Sequence, residues 1–132
     1  MTQSLSMTVT LKAKPAEVFQ ALTNAQAIRQ WSGQAGKVEA KIGGRFGMFD
    51  GWVKGSVLAY QEGKVLAYTW LPEDWPVGTE PSIVRFSFSR TKYGTKIVLK
   101  HSGLPDARQK KEHHDGWIEH VFEPLKEYFQ SR

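Results

Sequence analysis

Leu5, Met7, Val9 and Leu11 alternate with Ser6, Thr8, Thr10 and Lys12, so the chain opens with a strand that has one apolar and one wet face. Pro15 then stands where a first helical turn tolerates it, and Val18, Phe19 and Leu22 follow at helical spacing. Thr23 and Asn24 interrupt that helix. A second short helix is predicted from Asn24, as N-cap, to Trp31, ended by Gly33 and Gly36. From Lys37 to His101 the pattern becomes short apolar runs between turn residues. The breaks fall at Gly43-Gly44, Asp50-Gly51, Glu62-Gly63, Pro72 to Pro81 and Tyr93-Gly94, which predicts six strands of an antiparallel meander. The clearest are Val65 to Trp70, Ile83 to Ser89 and Thr95 to His101. In the second of these, Val84, Phe86 and Phe88 face opposite to Arg85, Ser87 and Ser89.

The last segment carries a different period. Asp106 and Gln109 form a capping-box pattern after Pro105, and Trp117, Ile118, Val121, Phe122, Leu125, Tyr128 and Phe129 recur on one helical stripe. Projected at 100° per residue, the stripe also takes in Ala107 and His114, with His113 and His120 at its flank. Gly116 and Pro124 are poor interior helix residues, so a bend is expected near one or both. Strand, two short helices, six strands and one long helix make an α+β chain whose antiparallel sheet needs a cover on its apolar face. Twelve glycines, several inside or beside strands, allow that sheet to curve around the helix.

A chain of 132 residues suits one domain, and 40% hydrophobic with 23% charged residues is a globular composition. The absence of cysteine removes disulfides and thiolate chemistry and fits a reducing compartment. No apolar run is long enough for a membrane span, and Met1 to Met7 lacks the continuous apolar core of a secretion signal, so a soluble cytoplasmic protein is expected. The net charge of +5 favours anionic partners only weakly, because the densest basic cluster, Arg108, Lys110 and Lys111, runs straight into Glu112 and Asp115. That pattern reads as a solvated helix face, and no nucleic-acid partner is expected.

Pro15-Ala16-Glu17-Val18-Phe19-Gln20-Ala21-Leu22-Thr23, Trp31, Ile42-Gly43-Gly44-Arg45-Phe46, Phe49-Asp50-Gly51-Trp52-Val53-Lys54-Gly55, Trp70, Asp74-Trp75-Pro76-Val77-Gly78, His101-Ser102-Gly103-Leu104-Pro105 and Gly116-Trp117 follow one another in a recognisable order. The chain thereby resembles the helix-grip superfamily of START domains and birch-pollen allergens, and within it the activator of heat-shock protein 90 ATPase homologue family. Gly43 to Phe129 is particularly similar to the C-terminal domain of the eukaryotic activator. The resemblance implies a curved seven-stranded antiparallel sheet gripping the last helix, with a pocket between them for an apolar or amphipathic small molecule. It also implies a chaperone-binding alternative. The eukaryotic activator draws much of its stimulation from a separate N-terminal domain, for which this chain has no room. A polyketide-cyclase type of enzyme is a third possibility that many chains of this fold share.

The candidate site follows from these two readings together. Phe46, Met48, Trp70, Phe86, Phe88, Leu99, Trp117 and Val121 are the expected apolar lining, and Arg85, His101 or His114 the polar anchor. His114 on the apolar stripe and His101 in phase with Ile97 and Leu99 are the candidates for acid–base chemistry, against a structural role for both, and no partner triad accompanies them. Trp75 beside Pro76 in the longest loop is the candidate partner anchor or pocket lid. His113, His114 and His120 do not converge at metal-ligand spacing, Gly43 to Gly47 precedes a strand rather than a phosphate-binding helix, and no hydrolase elbow is present. No metal and no cofactor are expected. The main reading is a non-enzymatic container for an apolar or aromatic metabolite, monomeric or weakly dimeric, with heat-shock protein 90 as the alternative partner.

Overall fold

The computed structural model describes residues 2–130. Strand β1 (Gln3–Leu11) leads into helices α1 (Pro15–Thr23) and α2 (Ala25–Ser32), as the pattern predicts. The Asn24 side chain accepts from the Ala27 N–H at 3.0 Å and so starts α2, while Gly33, at φ 75°, ends it in the left-handed conformation that glycine adopts without steric cost. Six strands follow: β2 (Lys37–Val38), β3 (Arg45–Met48), β4 (Val53–Gln61), β5 (Val65–Pro72), β6 (Ser82–Arg90) and β7 (Thr95–Leu104). They form one antiparallel sheet of order β1-β7-β6-β5-β4-β3-β2. Every connection within β2 to β7 joins nearest neighbours, and α1 and α2 carry the chain from one edge of the sheet to the other.

Register explains why one face is apolar. Val84, Phe86 and Phe88 on β6 stand opposite His101, Leu99 and Ile97 on β7, and all six are buried. The β4–β5 ladder is irregular, its pairing shifting register between Val57 and Ala59, the kind of break that lets a sheet curve. Next to this irregularity the Ser56 N–H is satisfied by Thr69 Oγ1 at 2.8 Å, and Gly55 lies so close to the Thr69 carbonyl that a Cβ there would collide with backbone.

The C-terminal helix of 24 residues crosses the concave face as α3 (Ala107–Trp117), a π-helical turn (Ile118–Phe122) and α4 (Glu123–Gln130). This is the helix-grip arrangement. Asp106 caps α3 by accepting from the Gln109 N–H at 2.8 Å. Asp106→Ala is expected to cost about 1 kcal/mol, read as a lower urea midpoint at unchanged m-value; an unchanged midpoint would show that the cap contributes nothing.

The π turn accounts for the irregularity expected near Pro124. Pro124 has no N–H to offer the His120 carbonyl, and its ring would clash with that oxygen in a regular helix. The Glu123 N–H bonds instead to the Ile118 carbonyl, one residue further back than an α-helix would reach. One extra residue is thereby accommodated in the turn. Every position before it is rotated relative to the stripe Val121, Phe122, Leu125 and Phe129.

Candidate functional site

The rotation decides which histidine is buried. Counting back from Phe129 along a uniform helix places Ile118 and His114 on the apolar stripe. With one residue inserted, Trp117 and His113 take those places, and both are buried while His114 is exposed. The expected role of His114 is therefore corrected. Its side chain lies in solvent, 3.3 Å from the Asp115 carboxylate.

His113 and His101 sit with Trp70 and Trp117 in one buried aromatic cluster, the two imidazoles 5.1 Å apart edge to face. Hydrogen bonding fixes their proton positions. The Trp117 indole N–H donates to His101 Nδ1 at 3.0 Å, so His101 carries its proton on Nε2. That Nε2 lies 2.9 Å from Ser82 Oγ, whose hydroxyl donates to the Trp70 carbonyl at 2.8 Å. In the opposite sense, the Trp70 indole N–H donates to His113 Nε2 at 3.1 Å, leaving Nδ1–H to donate to the Gln109 carbonyl at 2.9 Å. Each ring is a neutral, single tautomer with both nitrogens engaged, so neither has a nitrogen free to take a proton from a bound molecule. Burial, with His113 close by, lowers the His101 pKa from 6.5 to about 3. Burial lowers that of His113 as well, partly opposed by its bond to Gln109 and by the carboxylates of Glu112 and Asp74.

The tautomers are open to direct observation. A nitrogen NMR spectrum at neutral pH is expected to show His101 as Nε2–H and His113 as Nδ1–H; tautomer-averaged shifts for either ring would contradict the network.

Beside this cluster a cleft of about 720 Å³ opens between the C-terminal helix and the β3–β4 connection. Its walls include Phe49, Trp52, Trp70, His113, Trp117 and Val121. Trp52 lies stacked at 6.3 Å from His113 and edge-on at 6.2 Å from Trp70, so the half-buried indole forms an aromatic wall. Asp74, Glu112, Asp115 and Glu119 stand at the rim, and no lysine or arginine is among the lining residues. Glu112 and Asp115 are bridged along the helix to Arg108 at 3.1 Å and Lys111 at 3.3 Å, which confirms the solvated helix face read from the sequence.

Only part of the expected lining borders this space. Trp70, Trp117 and Val121 do. Phe46, Met48, Phe86, Phe88, Leu99 and His101 are core residues instead, because aromatic rings interlock where a hollow was expected. Phe46 stacks on Tyr68 at 3.7 Å, Phe88 meets Phe19 at 5.6 Å, and Phe86 meets Trp117 edge-on at 5.6 Å. Arg85 is on the outer, exposed face of β6 and so cannot anchor a molecule held between sheet and helix. Trp75 is buried rather than presented, with its N–H donating to Gln109 Oε1 at 3.2 Å and its ring against His113.

Residues 12–130 match the AHSA1 family, described as activator of Hsp90 ATPase homolog 1-like protein. The chain belongs to the AHSA1 family. Its relatives include the activators of 90 kDa heat shock protein ATPase homolog 1 of Mus musculus and Homo sapiens, 26% and 25% identical over 128 residues. Those alignments cover 97% of this chain and 37% of each relative, so the chain spans little over a third of their length. Among solved structures, an HSP90 activator from Plasmodium falciparum superposes with a TM-score of 0.84 at 23% identity, covering 93% of both chains. A protein from Mesorhizobium loti gives 0.77 at 24% identity, covering 95% of both. At these identities the superpositions establish the shared fold.

In this AHSA1-family chain the site residues that sequence reasoning missed are Trp52, Ser82, Gln109 and His113. Trp52 was visible only as part of the stretch Phe49 to Gly55 that carries the family resemblance, and its position against the helix is a tertiary fact. For His113 the signal was present in Pro124, once the extra residue it forces into the helix is counted.

Proposed function

We propose that this chain is an Hsp90-binding module that acts on the chaperone's ATP cycle. The observation that carries the reading is that the AHSA1 match extends over residues 12–130, while relatives named as Hsp90 ATPase activators align with nearly the whole chain. The buried, fully bonded histidines also favour a binding role over acid–base chemistry at these two rings. A cytoplasmic location and a monomeric or weakly dimeric state belong to the same proposal. Titration of the chain into full-length Hsp90 is expected to give saturable binding and a change in ATP turnover. An inert mixture at high micromolar concentration would reject it.

The cleft favours a second reading, an amphipathic small molecule held against Trp52 and Trp70. Its volume is within the usual range for small-molecule sites, and it combines aromatic walls with a polar rim. A screen of such compounds followed on the tryptophan indole N–H resonances is expected to shift Trp52 first. Unmoved indole signals throughout would reject this reading and leave the chaperone proposal standing.

A further inference from the structure

Among the described residues, which include all 13 Asp and Glu, none of these acids lies in a strand, whereas Lys37, Arg45, Lys54, Arg85, Arg90, Lys96 and Lys100 all do. The outward positions of β1, β7 and β6, at one side of the sheet, are consequently cationic or neutral. On β6 they are Ile83, Arg85, Ser87 and Ser89; on β7, Lys96, Val98, Lys100 and Ser102; on β1, serines and threonines. Arg85 and Lys100 stand directly opposite one another in the β6–β7 register. Their other cross-strand partners are Ala67 and Ser6, so neither cation has a carboxylate beside it on the sheet. Like charges placed directly opposite destabilise an antiparallel pair, and a glutamate at either position would reverse the sign. A local rule broken without an internal compensation points to a compensating charge outside the chain.

We propose that the outer face of the sheet, centred on Arg85 and Lys100, docks an acidic protein surface, which the reading above identifies as a surface of Hsp90; that identification rests on the chaperone proposal. The distribution of charge suits this. Arg108 and Lys111 on the helix are bridged to Glu112 and Asp115, whereas Arg85 and Lys100 have no carboxylate among their cross-strand partners, so it is the sheet face that offers uncompensated cations to a negative partner. Leu71 and Ile83, 38% and 44% exposed, lie on the same face as Arg85 and add the apolar contact a protein interface uses. No aromatic ring occupies an outward position on β1, β5, β6 or β7, so the face lacks the stacking platform of a single-stranded nucleic-acid binder.

The test compares the wild type with the double variants Arg85→Glu/Lys100→Glu and Arg85→Gln/Lys100→Gln, each checked for unchanged folding by circular dichroism. Against full-length Hsp90, the reversal is expected to weaken binding by about tenfold or more and the neutral pair by less, with wild-type affinity falling as salt rises. Equal binding by all three overturns the docking face and leaves the chaperone proposal intact. If the wild type does not bind Hsp90, the chaperone proposal falls, and a polyglutamate peptide followed by amide chemical shifts then decides the face. Shifts centred on Arg85, Lys96 and Lys100 uphold it; shifts elsewhere, or none, overturn it. Tighter binding of a single-stranded DNA of equal length than of the peptide overturns the protein partner.

Discussion

Between about pH 7 and pH 5 the protein is expected to lose roughly 2 kcal/mol of folding stability through His101 alone. The sign follows from the two states. In the unfolded chain His101 takes up a proton as pH falls through 6.5, whereas the folded form resists it until about pH 3. Across that window the unfolded state holds more protons, so stability is complete above the unfolded pKa and declines as pH falls toward the folded one. Protonation would set a new Nδ1–H against the Trp117 indole N–H, two donors facing each other in a buried site. His113, lowered in the same direction by burial, steepens the decline. The exposed carboxylates Glu39 and Asp115, both held below their ordinary values, act in the same sense but titrate only at lower pH, so they leave the pH 7 to 5 interval to the histidines. Urea melts across this interval are the measurement. His101→Gln should be less stable at neutral pH yet show a flatter dependence on acidification; a wild-type slope that survives the substitution would remove His101 as its cause.

The same buried pair shows what the sequence could and could not convey. Strand alternation is a local property, so the seven strands, their breaks and the inward set Val84, Phe86 and Phe88 were readable from spacing alone. Helix caps were equally local, and Asn24 and Asp106 accept the backbone N–H groups expected of them. The reciprocal half of the second cap was not readable, because the Gln109 side chain is taken by Trp75 from a loop 34 residues away. Which residue of the last helix faces the core depended on a defect introduced at Pro124 and felt at His113, about three turns upstream. A uniform period carried through that defect selects the neighbouring histidine. The filled core between sheet and helix is likewise a matter of packing density. Eight apolar candidates were compatible with either a lined hollow or interlocked rings, and only three of them, Trp70, Trp117 and Val121, reach the cleft.

Trp70→Ala is expected to be among the most destabilising single substitutions, at about 4 kcal/mol. The indole is 3% exposed and stands at the meeting point of both halves of the site. It packs 4.9 Å from Trp117, 5.5 Å from His101 and 5.8 Å from Phe46, so truncation removes contacts from three elements at once. It also leaves His113 Nε2 without its donor. The cavity would open onto the cleft that Trp70 already borders, letting water reach that nitrogen and limiting the polar part of the loss. Trp70→Phe separates the two contributions. Most of the ring volume stays and the N–H goes, so the cost should fall to about 1–3 kcal/mol while the His113 pKa rises, because an acceptor released from its donor can take up a proton. Denaturant melts give the first quantity and the histidine NMR titration the second. An unmoved His113 titration in the phenylalanine variant would mean that packing alone holds this imidazole neutral.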